Sequence, residues 1–332
     1  MRVYRIAEFG AVEGIRARDE PAPAPGPGQV LVRLHARSLN RRDLQILHRA
    51  YPVRAHQNVV PVSDGAGTVL AVGDGVRAVA AGDQVLSTYF PRWRDGRFRP
   101  EFAQEQFGCT LDGMLADCVL ADESAVVQIP PHLSFEEAAT LPCAALTAWS
   151  ALTGPRPVLP GETVLTIGTG GVALFAVQFA LLMGARVATV TAGKGRADLL
   201  WELGAHIVVD RAEHPDWEDA VRAQTDGGVD HVVETGALET LPRSVASCAA
   251  GGHIALAAAL GTGMLTATVL GAPVTIRRFY VGSRRALEAM LNAVSVHRLR
   301  PVIDVAFSFD EAREAYRYFA AGGHFGKIVI GG

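Results

Sequence analysis

The spacing of apolar residues changes character at about residue 125. Before it, apolar positions come in short alternating runs over residues 3–6, 29–36, 65–72, 84–88 and 113–120. Alternation of this kind predicts half-buried strands. Gly73, Gly75, Gly82 and Asp83 mark turns between them, and the proline-rich run 21–27 predicts an extended connector. Residues 89–113 have no period and are rich in aromatic and charged residues. A loop of that length is as a rule functional or mobile.

Beyond residue 125 the pattern becomes helical and strand-like by turns. Ser134-Phe135-Glu136-Glu137 predicts a capped helix start, and the helical pattern resumes over 140–152 past Pro142. Strands are predicted over 163–167, 186–190, 207–209, 229–233, 252–257 and 274–281, with helices over 172–183, 196–203, 217–224 and 241–249. Six strands alternating with helices at this spacing imply a parallel, doubly wound α/β sheet. The tail adds helices over 283–297 and 310–321 and a strand over 327–330.

One junction carries chemistry. The β-rich run 163–167 is broken by Gly168-Thr169-Gly170-Gly171, and the helix that follows is apolar on nearly every side. Gly168, Gly170 and Ala173 fit the dinucleotide fingerprint. The first glycine makes a tight turn, the second admits a pyrophosphate against the backbone, and the small third residue lets helix and strand pack closely. Free N–H groups at the helix start, at Gly171 and Val172, then face the phosphates. A ribose-binding acid usually follows about 20 residues after the first glycine. Residues 189–196 hold none; they hold Thr191, Lys194 and Arg196. The two cations would attract a 2′-phosphate, so the expected cofactor is NADP(H).

The 332 residues suggest two domains, and 49% hydrophobic with 20% charged residues suits a soluble enzyme with a large core. A net charge of -3 argues against general attraction to nucleic acid or an anionic membrane. The N-terminal MRVYRIAEFG has no apolar signal core. The uncharged stretch 254–276 contains Gly261, Gly263, Gly271 and Pro273, so it predicts strand, loop, strand rather than a spanning helix. Cys109, Cys118, Cys143 and Cys248 show no close pairing and read as reduced thiols of a cytoplasmic protein.

Several short pieces carry a resemblance. They are Pro27-Gly28-Gln29-Val30-Leu31-Val32, Ser38-Leu39-Asn40-Arg41-Arg42-Asp43, Tyr51-Pro52, Ser63-Asp64-Gly65-Ala66-Gly67, Gly82-Asp83-Gln84-Val85, Leu141-Pro142-Cys143, the glycine turn, and His324-Phe325-Gly326-Lys327. Together they resemble the medium-chain dehydrogenase/reductase superfamily over the whole chain. That resemblance implies a GroES-like, β-rich catalytic domain at 1–125 and 283–332. It also implies an inserted six-stranded Rossmann domain at 126–282, with the active site in the cleft between them. Zinc-bearing members place Cys, His and Cys where this chain has Asn40, Ser63 and Cys143, and one thiolate with Asn and Ser is not a tetrahedral zinc set. The four-cysteine structural lobe is replaced by the 89–113 loop, so no metal is expected.

The chain thus resembles the zinc-free branch, which includes quinone oxidoreductases and enoyl reductases. The implied activity is NADPH-dependent hydride transfer to a conjugated C=C, quinone-like or imine substrate. The alternatives are an NADP-dependent alcohol or aldehyde oxidoreductase and a catalytically silent NADP(H)-binding protein. Asn40 and Asp43 are expected to shape the catalytic cleft, with Tyr51 as proton donor or as a wedge before Pro52. Tyr89, Phe90, Trp93 and Phe107 are expected to wall a substrate pocket. By resemblance Thr147, Gly236, Ala257, Gly282 and Lys327 would meet the cofactor. A homodimer through the 274–281 edge strand is also expected.

Overall fold

The alternating N-terminal segments form strands in a computed structural model that describes residues 1–257 and 267–332. β1 (Arg2–Ile6) pairs antiparallel with β2 (Ile15–Asp19). The pattern gave no sign of β2, because only Ile15 of its five residues is buried. β3 (Gln29–Ser38) leads through Leu39 into α1 (Arg41–Leu47). β4 (Asp64–Val72), β5 (Gln84–Ser87), β6 (Cys118–Asp122) and β7 (Val126–Gln128) follow. All these pairings are antiparallel: β4 on β3 and on β5, β6 on β3, and β7 on β5.

The predicted capping box forms at α2 (Phe135–Ala139), where Glu137 N donates to Ser134 Oγ at 3.2 Å and Ser134 N donates to Glu137 Oε2 at 2.9 Å. A π-helical turn over Leu141–Ala145, with Pro142 inside it, leads into α3 (Leu146–Leu152).

The second half alternates as the periodicity requires. The strands are β8 (Thr163–Ile167), β9 (Arg186–Thr191), β10 (Ile207–Asp210), β11 (Val229–Glu234), β12 (Cys248–Leu256) and β13 (Thr275–Arg278). Between them lie α4 (Gly171–Leu182), α5 (Lys194–Glu202), α6 (Trp217–Gln224), α7 (Leu241–Ser247) and α8 (Ala267–Leu270). The sheet is parallel throughout, in the order β10-β9-β8-β11-β12-β13. The helix after the glycine turn is apolar all round because it is buried on most sides: Ala173 to Val177, Phe179 and Ala180 are all inside.

Several elements differ from the sequence pattern, among them β7 and a strand over Ile303–Phe307, which it did not show. β13 is four residues long where a strand over 274–281 was expected. α7 ends at Ser247 and the next strand begins at Cys248. Within the uncharged stretch 254–276 a short helix, α8, stands where a loop was expected, while Gly261 and Gly263 lie outside the described residues. Among the described residues no helix is long and apolar enough to cross a membrane.

The tail contributes α9 (Arg284–His297), β14 (Ile303–Phe307), α10 (Ala312–Ala321) and β15 (Lys327–Gly331). β15 pairs antiparallel with β3, and β14 pairs parallel with β15. Residues Met1–Leu146 and Gly282–Gly332 therefore make one compact unit and Thr147–Val281 a second. Residues 126–146, placed with the second unit from sequence, stay with the first, because β7 is a strand of its sheet and α2 packs on β3 and β4. The core of the first unit joins Val32, Leu34, Val85, Leu115 and Ile328 to Phe309 and Tyr316 of the tail. That of the second joins Leu165, Val190, Val209, Val232 and Ile254 across the parallel sheet.

Candidate active site

In the second unit the strand order reverses between β8 and β11, and doubly wound sheets take their ligands at the carboxyl ends of the strands at such a point. The glycine turn is there. Gly168 has φ +83°, a conformation that side chains disfavour, and Gly170 caps α4 with φ -77° and ψ 172°. A Cβ placed on either glycine meets nothing within 4 Å, so the space before the turn is open. The first amides of α4, at Gly171, Val172 and Ala173, have no partner within the helix. Thr235 Oγ1 donates to Ile167 O at 3.1 Å and ties the end of β11 to that of β8.

Glu234 fixes the next turn. It is fully buried, and its Oε1 accepts from Gly236 N at 2.6 Å and Thr240 Oγ1 at 2.7 Å, while Ser244 Oγ donates to Oε2. Burial raises its pKa and these three donors oppose the rise. Gly236 is therefore held in one conformation by a carboxylate, and Ala257 N is anchored on Glu234 O at 2.9 Å.

At the end of β9, Thr191 Oγ1 is buried with no hydrogen-bond partner among the described residues. Gly193 then caps α5 with φ +96°, Lys194 is exposed, and Arg196 is half-buried with its guanidinium on Ala192 O at 3.3 Å. The residue opposite Thr191 in β10 is Asp210. Its carboxylate accepts from Gly193 N at 3.0 and 3.1 Å and from Ala212 N at 2.9 Å, and the Ala212 and Gly193 amides hold its pKa below the usual carboxylate range. An acid thus reaches this edge from the neighbouring strand, although β9 ends without one. The open cradle, the helix amides and the unpartnered Thr191 hydroxyl fit a dinucleotide. Thr147, nearly buried, lies in this second unit, whereas Gly282 lies in the first, beside Ser283, whose Oγ accepts from Ala286 N at 3.2 Å to cap α9.

The first unit holds a buried polar cluster. Asn40 and Asp43 form a capping box on α1, with Asn40 N donating to Asp43 Oδ2 at 2.8 Å. Lys327 Nζ donates to Leu39 O at 2.6 Å and to Asn40 Oδ1 at 2.7 Å. Asp64 accepts from Ser63 Oγ at 2.6 Å and from Cys143 N at 3.0 Å. Arg42 NH1 stands 3.7 Å from Asp43 Oδ1. Two cations and two carboxylates are here nearly removed from solvent, with Arg42 5%, Asp43 2%, Asp64 0% and Lys327 3% exposed. Burial pushes Asp43 up to about 6, raises Asp64 and the Cys143 thiol, and lowers Lys327, which Asp64 pulls back up.

The Lys327 ammonium is enclosed in the first unit, against Leu39 O and Asn40 Oδ1. Asp43 Oδ2 is taken up by the start of α1, while Asn40 Oδ1 faces the Lys327 ammonium. Phe107 packs in the core of the first unit. Zinc does not fit. Of the three positions matched to zinc ligands, Asn40 is bonded to an ammonium, Ser63 donates its hydroxyl proton to Asp64, and Cys143 is a thiol held protonated by burial. Among the described residues no three His, Cys, Asp or Glu side chains gather as a metal site.

Tyr51 is half-buried. Its Oη lies 3.0 Å from Tyr89 Oη and donates to Gln106 Oε1 at 2.9 Å. Tyr89, Phe90 and Trp93 continue into an aromatic cluster with Phe98 and Phe102, at ring separations of 4.6 to 6.2 Å. The 89–113 loop is therefore packed and carries a 3-10 turn over Pro100–Gln104. Arg42, Gln106, Asp210 and Glu234 were not recognised from sequence. Arg42 stood in a quoted motif, but nothing in one dimension marks an arginine as buried.

The comparisons agree with this architecture. Residues 26–131 match the family model described as alcohol dehydrogenase GroES-like domain, and residues 171–296 match that described as zinc-binding dehydrogenase. A zinc-type alcohol dehydrogenase-like protein of Schizosaccharomyces pombe is 38% identical over 313 residues, 91% of this chain and 90% of that protein. The crystal structure of a putative alcohol dehydrogenase from Sinorhizobium meliloti 1021 superposes with a TM-score of 0.93 at 34% identity, covering 100% of this chain and 98% of that one. Human quinone oxidoreductase is 26% identical over 342 residues, 99% of this chain and 97% of that protein. With a GroES-like unit, a dinucleotide-binding sheet and relatives of both names, the chain belongs to the medium-chain dehydrogenase/reductase superfamily and is an NAD(P)-dependent oxidoreductase.

Proposed function

We propose that the protein is a zinc-independent, NADPH-dependent reductase of conjugated C=C, quinone-like or imine substrates. The observation that carries this reading is the buried Lys327 ammonium, bonded to Asn40 at the position of a zinc ligand. Without a Lewis acid to acidify it, a saturated alcohol depends wholly on a general base to lose its proton at neutral pH. A conjugated acceptor needs only a hydride at one end and a proton or hydrogen bond at the other. NADPH supplies the hydride when bound. Gly168, Gly170, Gly171 and Val172 receive its pyrophosphate, Gly236 and Ala257 line the turns beyond it, and Thr147 completes its surroundings in the second unit. Lys194 and Arg196 attract the 2′-phosphate, and Thr191 offers a hydroxyl to the ribose. Tyr51 delivers the proton, and Tyr89, Phe90 and Trp93 give the apolar surroundings.

Side-by-side fluorescence titrations with NADPH and NADH test the cofactor. NADPH is expected to bind at least tenfold more tightly, and Lys194→Ala is expected to remove most of the difference, since one charge-assisted contact is worth about 1.5–3 kcal/mol. Equal affinities would overturn the assignment. Because relatives are named for alcohols as well as quinones, saturated alcohols with NADP belong in the same activity screen as cinnamaldehyde, menadione and cyclic imines. A reducing, cytoplasmic setting follows from the sequence reading of the cysteines as thiols without close pairing. The place of β13 at the end of the sheet order among the described residues supports a homodimer, and a monomer mass at micromolar concentration would refute it.

A further inference from the structure

Tyr51 is one member of a fixed group. Gln106 Nε2 donates to Ala103 O at 2.7 Å, which settles which end of the amide faces the phenol. Tyr51 therefore directs its proton at Gln106 Oε1, and its oxygen is left to accept from Tyr89. Arg42 lies over both rings, its Cζ 5.2 Å from the Tyr51 centroid and 5.1 Å from that of Tyr89. Its NH1 donates to Phe107 O at 2.8 Å, while its Nε and NH2 have no hydrogen-bond partner among the described residues. A buried guanidinium is ordinarily paired through all its edges. Here much of its surroundings is the electron-rich faces of two phenols.

We propose that Tyr89 and Arg42 are positioning residues for proton delivery: Tyr89 donates a hydrogen bond to the Tyr51 oxygen, and Arg42 supplies positive charge beside the ring, so that the phenolate left after transfer is stabilised. The proposal rests on the reading of Tyr51 as proton donor. A bound NADPH would supply the hydride, and with it both electrons, to one end of the conjugated acceptor. The Tyr51 O–H bond breaks and its proton goes to the other end, and Tyr51 later regains a proton from water. The Tyr51 hydroxyl turns about its Cζ–Oη bond from Gln106 toward substrate and still accepts from Tyr89. Burial raises the Tyr89 pKa well above the usual phenol value, so Tyr89 keeps its own proton and remains a donor throughout.

The test is steady-state kinetics with saturating NADPH and with cinnamaldehyde and menadione as acceptors. Tyr89→Phe removes one oxygen and keeps the ring. It is expected to lower kcat about tenfold with KM little changed, the effect of losing a hydrogen bond to a charged oxygen. Tyr51→Phe is expected to be slower still, by about a hundredfold or more. The double variant should be no slower than Tyr51→Phe alone, because Tyr89 acts only through Tyr51. Arg42→Lys should retain more kcat than Arg42→Met. NADPH binding by fluorescence shows that each variant is folded. An unchanged kcat in Tyr89→Phe, or a double variant with multiplied effects, overturns the proposal while leaving Tyr51 in place. An unchanged Tyr51→Phe, or a wild type inert toward both acceptors, overturns the parent reading and the proposal with it.

Discussion

Lys327→Met keeps the length and apolar stem of the side chain and deletes the ammonium. Leu39 O and Asn40 Oδ1 lose a donor at 2.6 and 2.7 Å. Asp64, fully buried, loses the cation that most opposes the effect of burial on its carboxylate. Breaking a buried charge pair by removing one partner costs about 3–5 kcal/mol, and an orphaned buried acceptor about 1–3 kcal/mol. The two losses overlap, because Asp64 retains Ser63 Oγ and Cys143 N as donors and so is not left bare. The expected loss is about 3–5 kcal/mol in the first unit. At about 2–4 °C per kcal/mol for a unit of this size, Tm falls by roughly 10 °C. Urea unfolding followed by circular dichroism measures it. The discriminating variant adds Asp64→Asn, which removes the carboxylate left unpaired and keeps an acceptor for Cys143 N. The double variant should recover half or more of the loss. A loss below about 1 kcal/mol, or a double variant no better than the single one, would refute the charge balance assigned to this cluster.

Other outcomes follow from single positions. Gly170→Ala should leave stability unchanged, since φ is negative and no atom lies within 4 Å of the added Cβ, yet weaken NADPH binding tenfold or more by filling the pyrophosphate space; this is checked by melting and fluorescence titration of one sample. His231 is 1% exposed, and burial, followed by the nearby Arg156, pushes its pKa down to about 4. Below about pH 6.5 the unfolded chain binds a proton that the folded chain refuses, so this contribution is complete above pH 6.5 and declines as pH falls toward 4. Between pH 7 and pH 5 the decline is about 2 kcal/mol, and His231→Gln should flatten that part of the urea midpoint profile.

Legibility in the sequence followed the range of the interactions. The parallel sheet was readable because most of its strands are local apolar runs, separated by segments of helical length. The glycine turn was readable because its requirement is local: Gly168 must have positive φ and Gly170 must leave room. The box at Ser134 and Glu137 spans three residues and could be read directly. β2 escaped because four of its five residues face solvent, and α8 because a stretch without charge carries no helical signature. The candidate site was less legible. Lys327 and Asn40 meet across 287 residues, Cys143 and Asp64 across 79, and Asp210 faces Thr191 only because β10 lies beside β9. An acid within the second strand is visible in one dimension; an acid delivered by the next strand is not. The expectation for Lys327 came from resemblance alone, and its bond to Asn40 was not visible in one dimension because it depends on β15 pairing with β3.

The most direct measurement is NADPH oxidation in the presence of cinnamaldehyde by protein dialysed against a strong chelator, with zinc content determined on the same sample. The account predicts an undiminished rate per chain at far below stoichiometric zinc, with no gain when zinc is restored. A rate that falls with chelation and returns with added zinc would contradict it.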